Sequence, residues 1–253
     1  MEKHIHIQSL EGKLVLITGA GKRVGADIAR YMAARGMDIC LHYRSSLEAA
    51  EGLKKEIEET YRVRVELVKG DLSREADVTG LFNLISPDVV ILNAGAFIPD
   101  DFNANMKANA EAVHHVVKKG IARMLSDKRK GTFFLVGDAF LESGGVYPEN
   151  LIAYTMSKAH IPYTVRQLAS AHGRDGLRFI GILNGPIEPP PGASPEAIAA
   201  IKAEINLPEE ELDPWIGGVK VGEAIYGLLL ATAINGESVR VDGGRVPVVA
   251  REH

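Results

Sequence analysis

The sequence predicts an α/β protein with a single domain, built on a seven-stranded, doubly wound parallel sheet. Its length of 253 residues fits one such domain. Hydrophobic residues make up 46% of the chain, which is enough for a sizeable core. Short apolar runs alternate with helical patterns throughout, and this alternation is typical of parallel strands joined by crossover helices.

Seven apolar runs are predicted as strands. Apolar residues recur at helical spacing between residues 24 and 32, and Gly36 is suited to end that first helix. Residues 45–48 fit a capping box at the start of the next helix. In chain order the predicted strands are residues 14–17, 38–43, 63–68, 89–92, 132–136, 177–183 and 238–241.

A proline-rich segment at residues 186–218 interrupts the alternation. It surrounds a short helical pattern in which Ser194 and Pro195 suit the N-cap and first helical position. We expect one domain over residues 1–253, in which residues 186–218 form an excursion over the functional site. An ordinary surface loop is the alternative.

Charge and composition narrow the classes of partner. A net charge of -4 and a pI near 6.1 argue against nucleic-acid binding. The N-terminus lacks the apolar stretch of a signal peptide, and the longest apolar run, residues 228–234, is too short to span a membrane. Cys40 is expected in the core, and the terminal His4 and His6 predict no metal site. The expectation is a soluble, cytoplasmic protein with a small-molecule partner.

A glycine-rich turn follows the first predicted strand and opens the first predicted helix. Gly19, Gly21 and Gly25 have the spacing GxGxxxG, one residue longer than the usual dinucleotide fingerprint. At this position the backbone can turn tightly and present the amides of the helix N-terminus to a pyrophosphate. The turn therefore predicts a Rossmann-type domain that binds a dinucleotide.

Residues at the end of the second strand select between cofactors. A carboxylate there would bind the ribose 2′-hydroxyl of NAD, but this chain has Tyr43, Arg44 and Ser45, with Lys22 and Arg23 on the neighbouring turn. Arginine binds phosphate oxygens in bidentate fashion, so the sequence favours NADP(H) over NAD(H). The alternative is that these cations only face solvent.

Tyr154 and Lys158 form the candidate catalytic pair. Residues four apart share one helix face, and an ammonium near a phenol lowers the pKa of that phenol. Such a tyrosine can transfer a proton near neutral pH. The pattern YxxxK is common by chance, and it gains meaning from the glycine-rich turn upstream.

Four segments in order resemble the short-chain dehydrogenase/reductase family: residues 18–25, 93–95, 154–158 and 241–244. The resemblance implies that Tyr154 is the acid, that Lys158 binds the nicotinamide ribose and that Asn109 holds a water in a proton relay. It also implies a homotetramer. It implies further cofactor contacts at Asp71, Leu72, Asn93, Ala94, Gly95 and Lys158. With the residues of the turn and of the second strand, the full expected set is Gly19, Gly21, Lys22, Arg23, Val24, Tyr43, Arg44, Ser45, Asp71, Leu72, Asn93, Ala94, Gly95, Lys158 and Pro186.

One position departs from most of that family. Leu141 stands where a serine usually precedes the tyrosine, and counting from Gly131 through the fifth strand puts Asp138 in the serine's place. Ser143 competes for the role if the loop is threaded differently. An aspartate here resembles the pteridine reductase branch, as do residues 18–25, 41–43, 93–99 and 154–158, whereas residues 144–150 and 184–186 depart from it.

The chemistry of an aspartate differs from that of a serine at this place. Burial can keep a carboxyl group protonated near pH 7, so that it can donate to the ring nitrogen of a C=N substrate. Phe97 is expected to stack on a planar substrate, with core packing as the alternative. We expect an NADPH-dependent reductase of a small heterocyclic C=N compound. The alternatives are a ketone or 3-oxoacyl reductase and a non-catalytic NADP-sensing module.

Overall fold

A computed structural model of the chain describes residues 9–189, 193–208 and 216–245. Seven strands form one sheet in the order β3-β2-β1-β4-β5-β6-β7, and every neighbouring pair is parallel. The predicted fold class is thereby confirmed. The strands are β1 Leu14–Ile17, β2 Asp38–Tyr43, β3 Val65–Lys69, β4 Val89–Leu92, β5 Gly131–Asp138, β6 Leu177–Asn184 and β7 Ser238–Val241.

Ten α-helices lie in the described ranges, together with a π-helical turn at Lys107–Glu111 and two short 3₁₀ segments. None of the helices described is long and apolar enough to cross a membrane. In order they are α1 Arg23–Ala34, α2 Leu47–Tyr61, α3 Glu75–Leu84, α4 Phe102–Met106, α5 Ala112–Ser126, α6 Ala139–Glu142, α7 Ile152–Lys158, α8 Ile161–His172, α9 Pro195–Ala203 and α10 Gly217–Leu230.

Helices cover both faces of the sheet. On one face α1, α2 and α10 bury apolar residues such as Met32, Leu53 and Ile225 against the strands. On the other face α3, α5 and α8 do the same with residues such as Val116 and Val165. The central strands are therefore buried on both sides, which explains why they are nearly continuous apolar runs.

The strand order reverses between β1 and β4. From β1 the chain moves outward to β3, then returns to the other side of β1 and continues to β7. In such sheets a ligand binds at the carboxyl ends of the strands, at the point of reversal. The residues that follow β1 and β4, and the last residues of β5 and β6, all meet at that edge.

Two of the predicted helix starts have different outcomes. Ser194 caps α9 as predicted, since its hydroxyl accepts from Ala197 N at 3.2 Å. The capping box at residues 45–48 is wrong: Ser46 is the N-cap of α2 and makes no capping side-chain hydrogen bond. Its hydroxyl instead lies against Gly21, where a Cβ would be 2.7 Å from Ser46 Oγ.

Candidate active site

A cleft of about 640 Å³ lies at the carboxyl edge of the sheet, by the ends of β4, β5 and β6. Of the residues predicted for the site, it is lined by Arg23, Val24, Asn93, Gly95, Phe97, Asp138, Tyr154, Lys158 and Pro186. Residues that the sequence did not indicate also line it, among them Phe140, Tyr147, Asn184, Glu188 and Arg245. The remaining predicted residues lie outside this lining: Gly19, Gly21, Lys22, Tyr43, Arg44, Ser45, Asp71, Leu72, Ala94 and Asn109.

The glycine-rich turn packs directly against the segment after β4. Gly19 has φ +65°, and a Cβ on it would lie 3.1 Å from Ala94 Cα. A Cβ on Gly25 would lie 2.6 Å from Gly19 O. Asn93 Nδ2 donates to Thr18 O at 3.1 Å, and Ala94 N donates to Thr18 Oγ1 at 3.0 Å. Glycine is required here by close approach, and residues 93–94 hold the turn in place.

The cations that were predicted to meet one phosphate group have different surroundings in the structure. Arg44 and Ser45 are exposed at the end of β2, and the charge of Arg44 acts on Asp71. A hydrogen bond from the Ser73 hydroxyl is the main cause that lowers the pKa of Asp71, and Arg44 adds to it. Arg23 instead lines the cleft.

Arg23 is paired with Glu188, which follows β6. The contact of Arg23 with a 2′-phosphate stays a prediction. In this structure the Glu188 carboxylate offers the guanidinium a charged hydrogen-bond partner at the cleft, so a phosphate would compete with that ion pair. No local pattern in the sequence marked Glu188, because it contacts Arg23 across 165 positions of the chain.

Asp138 is the centre of a hydrogen-bond cluster. The Tyr154 hydroxyl donates to Asp138 Oδ2 at 2.6 Å, and the Tyr147 hydroxyl donates to the same oxygen at 2.9 Å. The other oxygen, Oδ1, caps α6 by accepting from Phe140 N at 2.8 Å and Leu141 N at 3.4 Å. The carboxylate thus faces the cleft with one oxygen and anchors a helix with the other.

Ser143 does not take the serine's place. It follows α6, and its hydroxyl donates to Ala139 O at 2.9 Å and to Phe140 O at 3.2 Å. It is absent from the cleft lining, whereas Asp138 is part of that lining. Of the two candidates, the structure therefore brings Asp138 to Tyr154.

The pKa of Tyr154 was expected to be lowered by Lys158, and the structure shows the opposite direction. Burial, followed by the negative charge of Asp138, raises the pKa of Tyr154 well above its ordinary value. Burial lowers the pKa of Lys158 to about 8, against the opposing effect of Asp138. Lys158 Nζ donates to Val136 O at 3.0 Å. The phenol therefore keeps its proton at neutral pH, and the predicted lowering of its pKa by Lys158 is not seen.

Asn109 lies in the π-helical turn and is fully buried. Its Oδ1 accepts from Ala96 N at 2.8 Å, and its Nδ2 donates to Ala96 O at 2.8 Å and Ser157 Oγ at 2.9 Å. Its backbone carbonyl lies 3.1 Å from Nε2 of His160. The side chain thus joins the segment after β4 to α7, the helix that carries Tyr154.

Phe97 belongs to an aromatic group at the cleft. It is 47% exposed, and its ring meets that of Tyr154 edge to face at 4.6 Å and that of Tyr147 at 6.0 Å. Phe140 lies 4.9 Å from Tyr147 on the other side. Phe97 is therefore not a core residue, and the aromatic rings, which are inclined to one another by 59–87°, line the cleft beside Asp138.

The described residues were compared with the side-chain clusters that bind metal ions in proteins. In the described part of the chain, no group of three or more histidine, cysteine, aspartate or glutamate side chains could hold a metal ion. His4 and His6 lie outside the described residues, as do residues 190–192 and 209–215 of the proline-rich segment.

Comparison with known proteins identifies the family. The profile of the family described as short chain dehydrogenase matches residues 13–196. 3beta-hydroxysteroid dehydrogenase 1 of Eggerthella lenta is 26% identical over 93% of this chain and 94% of its own. General stress protein 39 of Bacillus subtilis is 29% identical over 76% of this chain and 70% of its own.

Among solved structures, a blue fluorescent protein from a metagenomic library, in complex with NADPH, superposes with a TM-score of 0.80. It is 25% identical, and the match covers 94% of this chain and 99% of that one. The matched profile spans the glycine-rich turn, Asp138, Tyr154 and Lys158. The chain therefore belongs to the short chain dehydrogenase family and is an oxidoreductase of that family.

Proposed function

We propose that this protein is an NADPH-dependent reductase of a small, planar, heterocyclic C=N substrate of the pterin type. The observation that carries the proposal is the carboxylate of Asp138, which faces the cleft and accepts from the phenols of Tyr154 and Tyr147. Carbon–nitrogen reduction requires a proton at nitrogen, and this cluster places two protonated phenols on one carboxylate. The exposed ring of Phe97 offers an apolar face on which a flat ring can pack.

The chain offers a cradle that fits the nicotinamide cofactor. A Cβ on Gly95 would lie 2.8 Å from Asn109 Oδ1 and 3.2 Å from Lys158 Nζ, so only glycine leaves this space open. Lys158 would hold the nicotinamide ribose, with Asn93, Ala94 and Pro186 along the channel. When bound, the cofactor supplies the hydride. NADPH in the structurally similar blue fluorescent protein supports this choice.

The remaining contacts would hold the adenosine half of the cofactor. Asp71 and Leu72 would flank the adenine, and Arg44 and Ser45 are free to meet a 2′-phosphate at the exposed end of β2. The turn residues Gly19, Gly21, Lys22, Arg23 and Val24, with Tyr43, complete the proposed set.

The protein's own groups can move the proton in two steps. Tyr154 holds a proton at its hydroxyl and directs it toward Asp138 Oδ2. Because every hydrogen bond described for Asp138 is accepted by it, the carboxyl group can donate only after a proton reaches it from a phenol or from water. Asp138 or an intervening water then donates to the substrate nitrogen, Asn109 supports the relay, and the group that gave up its proton takes one back from solvent water.

A second candidate is reduction of a ketone or a 3-oxoacyl group. The similarity to 3beta-hydroxysteroid dehydrogenase 1 of Eggerthella lenta favours it, since that protein is named for chemistry at a carbon–oxygen bond. The position of Ser143, turned into its own helix, counts against it.

Turnover of a small substrate panel distinguishes reduction of a heterocyclic C=N bond from reduction of a ketone. Dihydropterins, quinonoid pterins and β-ketoesters are each offered with NADPH, and consumption of NADPH is followed by its absorbance. We expect the pterins to be reduced with the higher kcat/KM. Turnover of β-ketoesters alone would replace the C=N proposal with the ketone reductase.

We expect NADPH to bind more than tenfold more tightly than NADH. A charge-assisted hydrogen bond contributes roughly 1.5 to 3 kcal/mol, and about 1.4 kcal/mol corresponds to a tenfold change in affinity. Since Arg23 is held by Glu188, Arg44 should carry most of the preference. Arg44→Ala should reduce it to about threefold or less, as measured by titration calorimetry.

Arg174→Ala is the matched control for that titration, because Arg174 is exposed and lies before β6, at the opposite edge of the sheet. It should leave both dissociation constants unchanged. Equal affinities of the wild-type protein for NADPH and NADH would contradict the assignment.

We also propose a substrate loop, an oligomeric state and a cellular location for the enzyme. The proline-rich segment at residues 186–218 would act as a substrate loop, since Ile187, Glu188 and Ile201 line the cleft. The family resemblance supports a homotetramer, and the location that we propose for this NADPH-dependent reductase is the cytoplasm.

A further inference from the structure

His42 is a buried histidine in β2 that the proposed chemistry does not use. It lies between the glycine-rich turn and the end of β3. Its Nδ1 accepts from Gly19 N at 3.2 Å, and its Nε2 lies 3.1 Å from Gly70 O. Its backbone carbonyl accepts from Ala20 N at 3.0 Å. One residue therefore bonds two successive amides of the turn and connects them to β3.

Only one form of the imidazole satisfies both contacts of the ring. Nδ1 must carry a lone pair for the Gly19 amide, and Nε2 must carry the hydrogen for the Gly70 carbonyl. Burial lowers the pKa of His42 to about 4, although the Gly70 carbonyl and the charge of Asp71 oppose this effect. The ring is therefore neutral at physiological pH.

The carboxylate of Asp71, whose charge acts on the imidazole, has hydrogen-bond partners of its own. Asp71 follows β3, its backbone amide donates to Asp77 Oδ2 at 2.9 Å, and its carboxylate accepts from the Ser73 hydroxyl at 2.8 Å. The charge of Arg44 also acts on Asp71. These groups have their own partners, so no carboxylate is described in hydrogen-bond contact with the imidazole.

We propose that His42 is a positioning residue that holds the glycine-rich turn in its cofactor-binding geometry through the hydrogen bond from Gly19 N to Nδ1. The inference rests on the proposed binding of NADPH at that turn. Gly19 has φ +65°, and glycine pays no steric penalty for that conformation but is free to leave it. The imidazole restricts this freedom at the point where the backbone must approach the cofactor.

Two conservative variants separate the two ring nitrogens. In His42→Asn the amide oxygen can occupy the place of Nδ1 and accept from Gly19 N, whereas in His42→Gln the amide nitrogen can occupy the place of Nε2 and donate to Gly70 O. Loss of a buried hydrogen-bond partner typically costs about 1–3 kcal/mol, equivalent to about fivefold to 150-fold in affinity.

We expect His42→Gln to raise the dissociation constant of NADPH about tenfold or more, and His42→Asn to raise it less than about threefold. The kcat at saturating NADPH should change little in either variant. Cys40→Ala is the matched control: Cys40 lies on the same strand and face, and packs with Leu16 and Val68 in the core. It should lower the free energy of unfolding without changing the NADPH affinity.

Equal NADPH affinities for the asparagine and glutamine variants, or equal weakening by Cys40→Ala, would overturn the role of His42. Nitrogen NMR of the wild-type protein with labelled histidine adds a measurement that needs no variant. It should show His42 with hydrogen on Nε2 at pH 7, and hydrogen on Nδ1 would also overturn the role. If the wild-type protein bound no NADPH, the proposed cofactor itself would fail.

Discussion

Tyr154→Phe should lower the rate of reduction on the order of a hundredfold or more while leaving the affinity for NADPH nearly unchanged. The phenol donates to Asp138 Oδ2 at 2.6 Å and keeps its proton at neutral pH, because burial and the charge of Asp138 raise its pKa. Phenylalanine keeps the ring that packs on Phe97 but carries no proton to transfer. Single-turnover rates and NADPH titration measure the two quantities separately.

Tyr147→Phe is the matched comparison, since it removes a second phenol from the same carboxylate oxygen. Tyr147 lies outside the Tyr154–Lys158 pair, so its loss should cost much less than that of Tyr154. Activity of Tyr154→Phe within threefold of the wild type would show that another group is the acid. Equal losses in the two variants would show that the cluster acts through the carboxylate alone.

Asp138→Asn should suppress reduction of a heterocyclic C=N substrate on the order of a hundredfold, with little change in NADPH affinity. The asparagine side chain keeps one oxygen that can cap α6, where Asp138 accepts from Phe140 N. It replaces the other oxygen with an NH₂ group, which cannot accept from Tyr147 or Tyr154. The variant therefore tests the cleft-facing oxygen while preserving the helix cap.

Asp138→Ser extends that test to specificity. A serine hydroxyl can orient a ketone but does not supply the carboxyl chemistry, so the ratio of ketone to pterin turnover should rise. Circular dichroism and thermal unfolding of both variants control for loss of the α6 cap. Full pterin reductase activity in Asp138→Asn would refute a direct role of the carboxylate and leave it with the helix cap alone.

The sheet could be predicted from local patterns because its five central strands, β2, β1, β4, β5 and β6, are buried on both faces. Such strands appear as apolar runs, and four of the seven predicted ranges match the observed bounds, including Leu14–Ile17 and Val89–Leu92. Both β5 and β6 continue beyond their predicted ends, to Asp138 and Asn184. The periodic pattern did not include these polar residues, although they continue the ladder opposite each other.

The site could be predicted only where its residues belong to compact motifs. Gly19, Tyr154 and Lys158 lie in such motifs, and the count along the fifth strand placed Asp138. Tyr147 could not be predicted in this way, because it lies in an irregular segment. Its hydrogen bond to Asp138 depends on how that loop folds. The same holds for the contact between Arg23 and Glu188, which depends on tertiary structure.

The π-helical turn at Lys107–Glu111 lies within one continuous helical segment that runs from α4 to α5. It sets how the side chains of the turn are rotated about the helix axis relative to the core-facing side chains of α5. A π-helical turn carries about one residue more than an α-helical turn. Deleting a single residue there would restore α-helical winding and rotate one side of the segment by about 100° relative to the other. Asn109 could then not keep its contacts while Val113 and Val116 stayed in the core. The length of this segment is therefore more constrained than its sequence, and homologous chains should show substitutions here but no insertions or deletions.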